Sequence, residues 1–346
     1  MLSIAYLCGT KGYKSFCPTD KGLGGSETAV IELTRRWARA GNKVSVFALT
    51  TPATYEGVVW RDVATYNSEQ SYDIVILWRQ AGFNLLTEHP DLKRGLLVMD
   101  FHDGGFDTAT FSNNPLSKTI DRLFVKSQFH RSLFTAIPDD SRFAIIPNGI
   151  IMEVFNAIRD VKRQPHRFNY SSQYTRGLEP FLRYAWPRII DAWPDAELHV
   201  YYGQAGEPAA LARINQLMRQ PGVHDHGKVD LAVVAMEKFL STFHVYLCTA
   251  PEIDCISVRE SAMAGCIPIL TNNYVFRERY GIKIDGDPNN EATQIAAVDR
   301  ILSLSYSEIA LLRREGLKSP TIIDWDEIAA RWLKTSKIEL GRPPSP

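Results

Sequence analysis

Short apolar runs recur along the chain, and the segments between them place their apolar residues at helical spacing. LSIAYLC (2–8), NKVSVFAL (42–49), YDIVILW (72–78), RGLLVMDFH (94–102) and DRLFVKS (121–127) have the length of buried strands. Between the first two, SETAVIELTRRWARAG (26–41) has apolar residues at 29, 30, 33 and 37, which predicts a helix capped by Ser26 and closed by Gly41. After FAIIPNGI the pattern pauses in RDVKRQPHRFNYSSQYTRG (159–177), a polar, proline-containing stretch read as the linker between two domains. The alternation then restarts. LEPFLRYAWPRIIDAWP predicts a helix interrupted near Pro187, AELHVYYG a strand, and PAALARINQLMRQPG and LAVVAMEKFLSTF two helices. HVYLCTA predicts a strand, SVRESAMAG a helix closed by Gly265, CIPILTN a strand, and SYSEIALLRREGLK and WDEIAARWLKTSK two terminal amphipathic helices. Strands alternating with helices imply parallel sheets covered on both faces, here two α/β domains in series with a cleft between them.

Composition narrows the function classes. The chain has 346 residues, and domains of about 150 residues make two the natural count. Hydrophobic residues at 45% and charged residues at 23% suffice for two cores. Basic and acidic side chains are equal at 39 each, and the first 150 residues hold 16 and 15, so no basic half is hidden. Nucleic acid is therefore not an expected partner, since that needs a basic stripe. Cys8, Cys17, Cys248, Cys255 and Cys266 are odd in number, show no CxxC spacing and sit in or beside apolar runs. They read as small buried hydrophobes in a reducing compartment, hence a cytoplasmic location. The N-terminal MLSIAYLCGT lacks a basic region and is too short for a signal peptide, and no apolar run approaches membrane-spanning length. Peripheral membrane contact stays open.

Two stretches carry chemistry. GLGGSETAV sets Gly24 and Gly25 just before a helix, where close backbone approach and unpaired N–H groups suit an anion. It is no Walker A loop, and it fits the dinucleotide fingerprint poorly. Read alone, it is equally a surface turn. PEIDCISVRESAMAGCIPIL (251–270) places Glu252 and Glu260 eight positions apart, after the strand HVYLC and around a helix start. That is the carboxyl end of a parallel sheet, where ligands bind in open α/β folds. Two carboxylates there can accept hydrogen bonds from a sugar diol, or serve only the helix dipole.

The same stretch resembles the Glu-x7-Glu signature of retaining glycosyltransferases of the GT-B fold, family 4. GLGGSETAVIELTRRWARAGNKVSVF resembles that family's first Gly-rich loop and helix. VKSQFHRSLF and IIPNGI resemble the end of its N-terminal domain. TRGLEPFLRYAWPRIIDAWPDAELHVYYG resembles the start of its donor domain, and WDEIAARWLK its closing helix. The resemblance covers nearly the whole chain. It implies two Rossmann-like doubly wound domains facing across a cleft. Residues 1–155 would form the acceptor side, with helix 325–340 packing back on it, and 156–324 the nucleotide-sugar donor domain. By position, Glu252 would bind the donor sugar, backbone at Asp254, Cys255 and Ile256 would hold sugar and diphosphate, and Glu260 would bind the ribose.

The family usually has Phe-Gly where Asp254-Cys255 stands. It often carries an Arg and then a Lys-Gly for the diphosphate. Arg176-Gly177 matches the second, whereas the first falls in NYSSQ, which has no cation. His102, after a strand and before glycines, stands where the family often has a histidine near donor sugar and acceptor; a loop-capping role fits it equally well. No histidine or carboxylate spacing suits a catalytic metal, so none is expected, and no cofactor beyond the co-substrate. The resemblance implies retaining transfer from a nucleoside-diphosphate sugar, UDP- and GDP-linked not being distinguished, to the hydroxyl of a glycan, lipid-linked or protein-glycan acceptor. Glu252, His102 and Arg176 would be catalytic, and Gly24, Gly25, Arg176, Glu252, Asp254, Cys255, Ile256 and Glu260 would bind the donor. The rival expectation is a nucleotide-sugar-binding scaffold with weak or no activity.

Overall fold

The computed structural model describes residues 1–9, 16–20, 22–105, 108–138, 140–158, 160–203 and 206–339. The GRPPSP tail and Asp139 lie outside them. The chain forms two compact units, Met1–Gly149 with Asp324–Pro346, and Ile150–Ile323.

The first unit is built on an eight-stranded sheet of β1 (Ser3–Leu7), β2 (Lys43–Ala48), β3 (Ala53–Tyr55), β4 (Val58–Asp62), β5 (Tyr72–Trp78), β6 (Arg94–Asp100), β7 (Arg122–Val125) and β8 (Phe143–Ile145), in the order β3-β4-β2-β1-β5-β6-β7-β8. All pairs are parallel except β3–β4. Central strands such as β1 and β5 are continuous apolar runs because both faces are covered. The Gly25–Arg39 helix ends as its sequence predicts: Gly41 takes φ +82, and the N–H groups of Gly41 and Asn42 return to the carbonyls of Ala38 and Trp37. Its start differs from expectation. Gly24, not Ser26, is the N-cap, and the Ser26 hydroxyl donates to Glu27 instead, at 2.8 Å. The β3–β4 hairpin, to which the apolar pattern assigned no element, turns through Glu56 and Gly57, both at positive φ, as a two-residue turn requires. The Trp325–Glu339 helix belongs to this unit: Trp37 Nε1 donates to Ala329 O at 3.1 Å, and Trp332 packs on Trp37 and Phe124.

The second unit has six parallel strands, β9 (Gln164–Gln173), β10 (Glu197–Gly203), β11 (Val223–Gly227), β12 (Ser241–Tyr246), β13 (Ile267–Thr271) and β14 (Ile282–Ile284), ordered β11-β10-β9-β12-β13-β14. Here the expected linker is corrected: most of the polar stretch 159–177 is β9, between β10 and β12. Phe168 and Tyr170 bury one face of it. Arg167 and Asn169 escape the cost of burial by bonding Glu237 and the Phe243 carbonyl. A second correction concerns LAVVAMEKFLSTF. Its helix stops at Leu240, and Ser241 turns extended (φ −78, ψ 139) to begin β12. The interruption near Pro187 is a π-helical turn over Phe181–Ala185, which accommodates a proline that offers no N–H. Trp186, beside that proline, packs edge-on against Phe168 of the sheet. The chain enters and leaves this unit side by side, Ile150 N–H donating to Ile323 O at 2.8 Å. Among the described residues, no helix is long and apolar enough to cross a membrane.

Candidate functional site

In the second unit, the carboxyl ends of β9 and β12 gather five of the expected residues, Arg176, Glu252, Asp254, Cys255 and Ile256. After β12 the chain runs through Leu247 and Cys248 to Glu252, and the Ile256–Met263 helix begins at its N-cap, Cys255. Arg176, just past β9, donates to Glu252 Oε1. Tyr246, the last residue of β12, donates its hydroxyl to the same oxygen at 2.8 Å and accepts from Ser172 at 2.8 Å. Burial alone would lower the Arg176 pKa, but the Glu252 carboxylate beside it raises it. Burial and then Glu252 push the Tyr246 phenol well above its usual value, so it remains a donor at neutral pH. Gly177 is required at this corner. It has φ +112, and a Cβ would overlap the carbonyl oxygen of Leu247.

The Glu252–Cys255 loop is pinned along its length. Val275 N–H donates to Glu252 O at 3.2 Å. Asp254 is buried, and its carboxylate receives Arg259 Nη2 at 2.9 Å and Arg279 Nη2 at 2.8 Å, while Arg279 Nε holds its carbonyl at 2.8 Å. Asp254 thus spends its carboxylate on the scaffold, leaving only its backbone for a ligand. Cys255 has φ +56, the left-handed conformation that favours glycine. Burial, then the neighbouring Glu252, pushes its thiol well above the ordinary range.

Glu260 points elsewhere. Its Oε2 accepts from Lys238 Nζ at 2.5 Å, and Lys238 also reaches Ser257 O and Oγ, each at 2.9 Å. The lysine side chain is 0% exposed and that of Glu260 9%. This buried pair joins the Ile256–Met263 helix to the Leu231–Leu240 helix.

In the first unit, the carboxyl edge of the sheet carries a buried polar network around Asp100, the last residue of β6. Tyr6 OH donates to Asp100 Oδ2, Lys126 Nζ lies 2.5 Å from Oδ1, and His102 Nε2 lies 2.9 Å from Oδ2. Burial alone would raise the Asp100 pKa, but His102 and Lys126 hold it well below the carboxylate range. Burial lowers that of His102, which is therefore neutral at pH 7, with Asp100 opposing the shift. His102 sits in the same patch as the Gly-rich loop. Arg79 Nη2 is 2.5 Å from Asp103 Oδ1, and its Nη1 is 3.5 Å from Ser26 Oγ, in the first turn of the helix that Gly24 caps. Arg79 follows β5 directly, at φ +58. Sequence reasoning passed over Arg79, Asp100, Lys126 and Tyr246. The available signal was their position as a polar residue at or just after an apolar strand.

No protein-family model and no curated protein matches the sequence. Solved structures do. Sucrose-phosphate synthase from Thermosynechococcus elongatus superposes with a TM-score of 0.76 at 13% identity, over 98% of this chain and 99% of that one. HepE of Anabaena, in complex with UDP-glucose, gives 0.73 at 13% identity, over 97% and 99%. The catalytic domain of starch synthase IV from Arabidopsis thaliana, bound to ADP and acarbose, gives 0.69 at 12% identity, over 99% and 100%. The chain therefore has the GT-B fold, two Rossmann-like α/β domains, along nearly its whole length.

Proposed function

We propose that this protein is a retaining glycosyltransferase of the family 4 type, moving a sugar from a nucleoside-diphosphate sugar to an acceptor hydroxyl without a metal. The observation that carries the reading is the Glu252 carboxylate held by Arg176 and Tyr246 at the carboxyl edge of the sheet, ahead of a helix N-terminus. Glu252 receives hydroxyls of the donor sugar, and Arg176 turns its remaining N–H groups to the diphosphate, whose charge grows as the bond to the sugar breaks. The helix start at Gly24-Gly25 in the first unit offers N–H groups suited to a donor anion. Backbone at Asp254, Cys255 and Ile256 lines the sugar and phosphate. The left-handed φ of Cys255 keeps the backbone form that a glycine gives at this position, despite the change of residue. Glu260 offers its second oxygen to the ribose. Neutral His102, oriented by Asp100, is the first unit's candidate catalytic group. The departing phosphate takes the acceptor proton, so no protein nucleophile is needed. Neighbours solved with UDP-glucose or ADP support a nucleotide-linked donor, and five cysteines free of disulfides support a cytoplasmic site of action.

The test is release of nucleoside diphosphate from UDP- and GDP-linked sugars in excess EDTA. Turnover is expected to persist with chelator and to fall about tenfold to a hundredfold in Glu252→Gln, the loss of a charge-assisted hydrogen bond of ~1.5–3 kcal/mol. Turnover in no donor would leave a binding scaffold, and a wild-type rate in Glu252→Gln would remove Glu252 from the site.

A further inference from the structure

The second sheet carries a cluster that the proposed reaction does not use. On edge strand β11, His224-x-His226 sets two imidazoles on one face, because side chains alternate along a strand. On neighbouring β10, Glu197-x-His199 does the same, and the parallel register sets His199 beside His224. The rings stack, with centroids 4.7 Å apart for His199–His224 and 5.1 Å for His199–His226. One ligand atom each from Glu197, His199 and His224 lies within 4.8 Å of the others.

We propose that Glu197, His199 and His224 form a binding site for a divalent transition metal of the zinc class, independent of the donor site. Two imidazoles and one carboxylate are a three-ligand set that leaves a fourth position to water, and imidazole selects zinc, nickel or copper over magnesium and calcium. The other ring nitrogen of His199 supports this. Its Nε2 is 3.1 Å from Glu197 Oε2, while its Nδ1 is 2.9 Å from His226 Nε2. With metal on Nε2, Nδ1–H donates to His226, the outer partner that fixes the tautomer of a ligating histidine. Arg167 is the one nearby cation among the described residues that bears on this cluster. Its Nη1 donates to Glu197 Oε2 at 2.9 Å, and its Nη2 lies 3.3 Å from His199 Nδ1, farther than His226 at 2.9 Å, which takes that nitrogen's proton. The Arg167 charge is matched by a two-pronged pair with Glu237, Nε and Nη2 each at 2.8 Å. Glu197 is therefore not its only counter-charge, and the metal shares the Glu197 carboxylate with Arg167 Nη1. His199 lies four residues before the end of β10, about 13 Å from the carboxyl edge. The metal's role is to tie the edge strand to its neighbour, not to touch the donor.

The test uses the untagged, chelator-stripped full chain, titrated with Zn(II) against a chromophoric chelator and with Mg(II) as control. One zinc per chain is expected, with a rise in melting temperature and no response to magnesium. His224 and His226 are exposed, so their glutamine variants keep the fold. His224→Gln is expected to weaken zinc by more than tenfold and abolish the melting shift, and His226→Gln to weaken it about tenfold. Zinc bound equally by wild type and His224→Gln, or by neither, would overturn the site. Sugar-donor turnover is expected to be equal in loaded and stripped protein, so the two readings fail separately.

Discussion

Asp254 is the residue whose removal discriminates most sharply between a loop held in place and a loop merely lying there. Its carboxylate is the shared acceptor for Arg259 and Arg279, both almost wholly inside the protein. Asp254→Ala would leave two guanidinium groups facing each other without the carboxylate they share. Breaking a buried pair by removing one partner costs about 3–5 kcal/mol, most of it from the uncompensated charge that remains. Asp254→Asn keeps an amide oxygen for one arginine and loses the charge, so an intermediate cost is expected. The effect is also local. Arg279 Nε holds the Asp254 carbonyl, and Glu252 lies two residues before it, so the loop that positions Glu252 loosens first. Urea unfolding measures the total, and amide exchange over 241–271 reads the loop and helix directly. Exchange there is expected to quicken by about a hundredfold or more in Asp254→Ala, following the tenfold per 1.4 kcal/mol relation. A loss below ~1 kcal/mol, with unchanged exchange, would mean that the arginines find water instead, and the clamp argument would fail.

Other outcomes follow from the same geometry. Gly177→Ala is expected to lose about 1–3 kcal/mol from backbone strain, with further loss from the overlap with Leu247 O, and to lower donor turnover; normal stability in urea would refute the requirement. Glu260→Ala is expected to weaken nucleoside diphosphate about tenfold to a hundredfold if its second oxygen serves the ribose; an unchanged dissociation constant by calorimetry would assign Glu260 to the Lys238 pair alone. His130, whose Nδ1 accepts Lys126 N–H at 3.1 Å, is driven by burial down to about 3. Its folded pKa lies below the unfolded value of about 6.5. The neutral form therefore contributes stability present above pH 6.5 and lost as pH falls toward the folded value, at up to ~1.4 kcal/mol per pH unit. The fall in unfolding free energy between pH 6 and 4 should be shallower in His130→Gln, and an identical slope would refute the assignment.

The residues explain what the chain revealed beforehand. Strands β1, β5, β6 and β12 are legible because a sheet covered on both faces needs uninterrupted apolar runs, and YDIVILW leaves little else to form. β9 hid because its polar residues are bonded inside the protein rather than exposed to water. Pattern cannot distinguish a buried Asn169 from a solvated one. β11, VHDHG, hid as an edge strand with one apolar residue. The Glu291–Leu302 helix was missed altogether, though Ala297, Val298 and Ile301 anchor it, because its first turn is polar and it follows a loop. At the candidate site, the spacing of Glu252 and Glu260 left a sugar-diol and a helix-dipole reading both open, and only the family resemblance singled out Glu252 and Arg176. The hydrogen bonds that join Arg176 and Tyr246 to Glu252, and the clamp on Asp254, are set by tertiary contact. Arg279 stands 25 positions from Asp254 in sequence, and no local rule links the two.

The Trp325–Glu339 helix has a consequence for biosynthesis. Its anchors, Trp37 and Phe124, lie in the unit that is translated first, yet the helix itself follows the entire Ile150–Ile323 unit in sequence. On the ribosome, the first sheet must therefore wait, with this face uncovered, while the second unit is made and folds. The second unit, whose two ends meet at Ile150 and Ile323, has no such dependence. The usual vectorial order of domain folding is thus reversed in its last step. A nascent chain stalled within the second unit is expected to leave the face around Trp37 and Phe124 uncovered.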